Sequence, residues 1–150
     1  MCSYCGCEAE AVLVELMDDH ATIAGLAAGA ISAREAGDHD EAVALCSRIA
    51  ALFAVHADKE ESGVLGELRS AWGPDAAITE VLDDHVDLRA DLAALASGAL
   101  DGMEATLGRL VRHADREDTD IFPAAMTLLP DQAWARIQRV HDSLGAGQPA

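Results

Sequence analysis

Apolar residues recur along this chain at steps of three and four, the spacing that lines one face of an α-helix rather than one side of a strand. From about Glu8 to Glu35 the seam reads Leu13, Leu16 or Met17, His20, Ile23, Ala27 and Ile31. Gly37 closes this helix, and Asp38 with Glu41 forms a capping box for the next. The second seam holds Leu45, Ile49, Leu52, His56, Glu60, Val64 and Leu68, and the Trp72-Gly73-Pro74-Asp75 turn stops it. A third runs through Ile78, Val81 or Leu82, His85, Leu88, Leu92 and Leu95 to Ser97-Gly98. Asp101 with Glu104 caps a fourth, which carries Leu107, Leu110, His113, Glu117 and Ile121 and which Pro123 should kink or end. After Pro130-Asp131 a short helix carries Trp134, Ile137 and Val140. Four long helices with short connections predict an all-α, up-down-up-down four-helix bundle with a short fifth C-terminal helix. The expected division is a cysteine-bearing tail at 1–8, the bundle at 9–144 and a flexible tail at 145–150.

The seams are interrupted by charge in a repeating way. His56-Ala-Asp-Lys-Glu60 and His113-Ala-Asp-Arg-Glu117 each place a histidine four residues before a glutamate, which stacks both on one helical face about 6 Å apart. Glu15-Leu-Met-Asp-Asp-His20 is echoed by Glu80-Val-Leu-Asp-Asp-His85. The order, a lone histidine and then a His-x-x-x-Glu pair, occurs twice, as in a duplicated helical hairpin. At 1.5 Å rise per residue, all six groups fall roughly 15–22 Å from the same end of the bundle. Six polar side chains at one depth of a core are costly unless something satisfies them.

Composition narrows the function. Hydrophobic residues make up 51% and aromatics 3%, which suits close-packed helices better than a sheet. A formal net charge of −17 excludes nucleic acid and anionic membrane surfaces as natural partners, since both reward basic patches. No run approaches the roughly 20 apolar residues of a membrane-spanning helix. The first residues lack the basic-then-apolar order of a secretory signal, so the cytoplasm is the expected compartment. There, four cysteines read as thiols or metal ligands rather than a disulfide framework.

Four imidazoles and two carboxylates suit two metal ions. If Glu60 and Glu117 both bridge, each ion receives two histidines and shared oxygens, with positions left open for small ligands. Such nitrogen and oxygen donors favour iron, with manganese or zinc as substitutes. Open positions beside Leu, Ile, Val and Met side chains invite dioxygen or peroxide. Asp19 and Asp84, each preceding a histidine, read as solvated helix faces, with a bond to an imidazole N–H as the other reading. His39 and Glu61 read as solvated surface, and Trp72 and Trp134 as core or loop anchors. Cys2, Cys5 and Cys7 form a second candidate site for zinc or thiol redox chemistry, which His141 on the fifth helix could complete; Cys46, at the far end of the bundle, could not.

From about Glu10 to Leu129 these motifs, together with Ile121-Phe122-Pro123 after the second His-x-x-x-Glu, resemble the haemerythrin-like (HHE cation-binding) domains. The resemblance implies a non-haem di-iron centre with an oxo or hydroxo bridge. Its ligands would be His20, His56, Glu60, His85, His113 and Glu117, with the two glutamates bridging. It implies binding or reduction of dioxygen, peroxide or nitric oxide, or alternatively an iron- or oxygen-sensing module without turnover. Oxygen-carrying haemerythrins have a further histidine four residues after the third-helix one, where this chain has Arg89, so reversible oxygen carriage is not implied. They also use an aspartate five residues after the last histidine. Asp118 stands there as the alternative ligand, although Glu117 repeats the geometry of Glu60.

Overall fold

The structure, a computed structural model, describes residues 10–146. Its helices are α1 (Ala11–Glu35), α2 (His39–Ser62), α3 (Val64–Trp72), α4 (Ala76–Ala96), α5 (Met103–Arg116), α6 (Phe122–Leu128) and α7 (Asp131–Gly145), with a π-helical turn at Glu117–Ile121 joining α5 to α6. Helix α1 packs on α2 and α5, and α4 packs on the same two, which closes a four-helix bundle in the order α1, α2, α4, α5. Helix α7 lies across the end of the bundle against α2, α1 and α3. None of the described helices is long and apolar enough to cross a membrane.

Local chemistry explains where the helices start and stop. The Asp38 carboxylate accepts from the Glu41 N–H at 3.0 Å, and the Asp75 carboxylate accepts from Ala77 at 2.8 Å and Ile78 at 3.3 Å, so both caps fill orphan donors of a first turn. After α1, Gly37 takes φ +79°, the left-handed conformation that lets Asp38 N–H return to the Ala33 carbonyl. The expected cap at Asp101 does not form. Left-handed Gly102, φ +76°, directly precedes α5 and offers no side chain, so the first turn is closed through the Met103 N–H to the Leu100 carbonyl.

Two long seams are subdivided. The second breaks at Gly63, where a Cβ would lie 2.5 Å from the Lys59 carbonyl oxygen and 3.2 Å from Ile137 on α7; only a glycine fits where α7 crosses this closely. The fourth does not end at Pro123. Proline lacks the N–H that an α-helix would need, and the preceding turn widens so that the Phe122 N–H reaches back five residues to the Glu117 carbonyl. The helix then continues to Leu128.

The core is two apolar clusters. One gathers Leu13, Leu16, Val64, Leu68, Val81 and Phe122 beside α7, and the other gathers Ile23, Ile49, Phe53, Leu88, Leu92 and Leu107. The seams are those expected, with small rotations. On α2, Cys46 and Phe53 are buried while Leu45 and Leu52 are only half-buried. On α7 the inward residues are Trp134, Ile137 and His141, with Val140 at the margin, and Trp72 is 48% exposed.

Candidate metal centre

Along each of the four bundle helices, the residues that flank the centre are apolar and buried, so the helix phase that buries Leu13 and Ile23 also buries His20 between them. The same holds for His56 and Glu60 on α2, His85 on α4, His113 at the end of α5 and Glu117 at the start of the π turn. All six groups are buried, with exposures of 0–6%. They form two adjacent sets, His20, His56, Glu60 and Glu117, and Glu60, His85, His113 and Glu117; within each set one atom of every residue lies within 4.8 Å of the others.

The two glutamates lie between the histidine pairs. Glu60 turns Oε1 to His56 Nε2 at 3.1 Å and Oε2 to His85 Nε2 at 3.2 Å. Glu117 turns Oε2 to His20 Nε2 at 3.1 Å and Oε1 to His113 Nε2 at 3.3 Å. Each carboxylate therefore offers one oxygen to each pair. None of these contacts has hydrogen-bond geometry: the four Nε2 atoms and all four glutamate oxygens are buried without a partner. Buried polar atoms normally have partners, because leaving one unpaired costs about 1–3 kcal/mol. Eight nitrogen and oxygen atoms converging without hydrogen bonds between them fit a pair of cations, and the donor set matches two ions sharing two carboxylates.

A second set of carboxylates orients the rings. His56 Nδ1 lies 3.2 Å from Asp19 and His113 Nδ1 lies 3.3 Å from Asp84. His85 Nδ1 lies 2.9 Å from Glu61 and His20 Nδ1 lies 2.8 Å from Asp118. These partners follow the duplication. The acid before each lone histidine serves the histidine of its own hairpin, and the acid after each glutamate serves the lone histidine of the other hairpin. A carboxylate on Nδ1 keeps the proton there and leaves Nε2 as the metal-facing lone pair. Asp19, Asp84 and Glu61 are thus not merely solvated surface, as expected from sequence. Asp118, the alternative ligand, lies outside both metal sets with its carboxylate on the outer edge of His20. Arg89, in the place of the carriers' extra histidine, points outward and binds Glu61 and Asp58, each at 2.7 Å.

Aromatic rings close the layer. Phe53 stands 5.7 Å from His85, 6.2 Å from His113 and 6.4 Å from His56, centroid to centroid, while Phe122 stacks on His20 at 5.9 Å. Phe53 was missed in the sequence because it lies one position off the Leu52 seam; its spacing of three before His56 is the signal that could have found it.

The electrostatics suit a cation layer. Burial alone would lower the pKa of His20, but the Asp118 and Glu117 carboxylates override it and raise it to about 9. Burial likewise opposes protonation of His56 and His85, and the surrounding carboxylates, Glu60 foremost for His56 and Glu117 for His85, raise both to about 10. Glu60 and Glu117 stay below the usual carboxylate range against burial, because imidazoles surround them. The field of this layer therefore favours positive charge inside it.

Cys2, Cys5 and Cys7 lie outside the described residues. His141, their expected partner, is buried with Nδ1 3.0 Å from Glu15, which also binds the Lys59 ammonium. Cys46 is buried in the cluster around Ile49 and Leu92, remote from α7. His39 is exposed at the start of α2.

A protein-family model described as Hemerythrin HHE cation binding domain matches residues 11–125. No curated protein and no solved structure matches the chain.

Proposed function

The chain belongs to the hemerythrin HHE cation-binding family, and on that premise we propose that it holds two iron ions and uses them to bind or reduce dioxygen, peroxide or nitric oxide. The observation that carries the reading is the convergence of four buried Nε2 atoms, none with a hydrogen-bond partner, on two carboxylates that each face both histidine pairs. Paired iron at that place supplies one-electron redox chemistry and open positions for small ligands. The residues of the chain do the rest. His20 and His56 would hold one ion, His85 and His113 the other, and Glu60 and Glu117 would span both. Asp19, Asp84, Glu61 and Asp118 retain the Nδ1 protons and fix the ring planes. Phe53 and Phe122 exclude water, which strengthens every charge interaction within the layer. Arg89 supplies no donor to the second ion and instead steadies Glu61, which speaks against reversible oxygen carriage. Manganese or zinc would fit the same donors.

Metal analysis with an absorption spectrum of freshly purified protein tests the proposal. The expected result is close to two iron ions per chain with near-ultraviolet charge-transfer bands, both lost in His56→Ala. Zinc alone, with no bands, would overturn it. Added peroxide then separates the roles: sustained gas evolution by the iron-loaded protein marks an enzyme, and a single stoichiometric reaction marks a binder or sensor.

A further inference from the structure

On one side of the bundle the metal layer meets a cavity of about 510 Å³ between α1 and the α5–π segment. Of the six centre residues only His20 lines it, and His20 is also the most exposed of them, at 6%. The inner wall is apolar, with Met17, Ile23, Val111 and Ala114. Ala21 and Ala24, small and exposed, keep the mouth open where larger residues would cover it. Asp18 and Asp115 stand exposed in the lining, Asp118 lies deeper on His20, and no lysine or arginine lines the cavity. Arg116, next to Asp115, is turned to Glu80 on α4 at 2.7 Å. Elsewhere around the layer, Phe53 and Phe122, at 0–1% exposure, cover the rings.

We infer that this α1–α5 cavity is the access route to the metal layer, and that its apolar wall and acidic mouth admit small neutral molecules while holding back anions. The inference rests on the di-iron reading and deepens it by naming the class of ligand. A neutral diatomic loses little on leaving water for a wall of methyl groups, and hydrogen peroxide, although it gives up hydrogen bonds there, carries no net charge for the carboxylates at the mouth to repel. An anion of the same size must pass carboxylates with no lysine or arginine beside them in the lining, on a chain of net charge −17. His20 forms the inner end of the route, so a ligand arriving there reaches the His20 and His56 half of the layer first.

Two measurements decide it. Crystals of the metal-free protein under xenon should show xenon against Ile23 and Val111, because the apolar wall attracts a polarisable atom; Ala24→Trp should abolish that site. In iron-loaded protein, Ala24→Trp should slow the reactions with both peroxide and azide several-fold while leaving the absorption bands in place. The Asp18→Asn, Asp115→Asn double variant should speed azide association roughly threefold to tenfold at low ionic strength, leave peroxide unchanged, and lose its advantage as salt screens the mouth. Xenon elsewhere, rates indifferent to Ala24→Trp, or equal acceleration of azide and peroxide would overturn the inference. Failure of the di-iron reading would look different: no iron and no bands, with the xenon result still deciding the route.

Discussion

The two acids at the start of the π turn have different tasks although they are neighbours. Glu117 faces all the other groups of the layer, and Asp118 reaches only the outer nitrogen of His20. Glu117→Ala should therefore reduce bound iron well below two per chain, whereas Asp118→Ala should leave the stoichiometry intact; metal analysis after desalting checks both. Asp84→Asn removes the carboxylate that holds the His113 Nδ1 proton and should weaken metal affinity about 10–100-fold in chelator competition. The raised histidines also set a pH dependence. Imidazoles lifted from 6.5 to about 9 or 10 stabilise the metal-free fold fully below pH about 6.5, and that stability is lost as pH rises through 9 to 10. Urea unfolding of metal-free protein should thus show a falling midpoint above neutrality. Metal affinity should move the other way, rising with pH as protons cease to compete for Nε2.

Both subdivided helices change course beside the layer. The π turn starts at Glu117 and turns both Ile121 and Phe122 inward, at 5% and 0% exposure, so that Phe122 can stack on His20 while Pro123 is accommodated. Gly63 ends α2 three residues after Glu60 and lets α7 approach, and α7 in turn buries His141 against Glu15 of α1. A methyl group at position 63 would press on a carbonyl oxygen that has nowhere to retreat. Gly63→Ala should therefore destabilise the protein by about 1–3 kcal/mol in denaturant unfolding, and an unchanged midpoint would mean that α7 can shift without cost. Proline and glycine mark both irregular places in the sequence. Their consequence does not, because a proline breaks a helix in one setting and is absorbed by a widened turn in another.

Taken whole, the molecule is two apolar clusters with a charged layer between them, whose inner nitrogens and oxygens are buried without hydrogen-bond partners. Removing the metal should cost several kcal/mol of stability through lost binding to the native state. A melting temperature unchanged after verified chelation would count against a stabilising centre. The helical period by itself determined the bundle and put His20, His56, Glu60, His85, His113 and Glu117 on inner faces at one depth, because a 3.6-residue repeat and a fixed rise leave little freedom in either. Only the tertiary structure decided which acid meets which imidazole edge. His20 and Asp118 are 98 positions apart, and their meeting depends on the rotation and spacing of α1 against α5, as does the cavity between those helices. A rotation of one position, such as brought Phe53 rather than Leu52 inward, is a small change in packing energy and a large one in what surrounds the metal. Periodicity fixes the face of a helix, and contact between helices fixes the angle at which that face is presented.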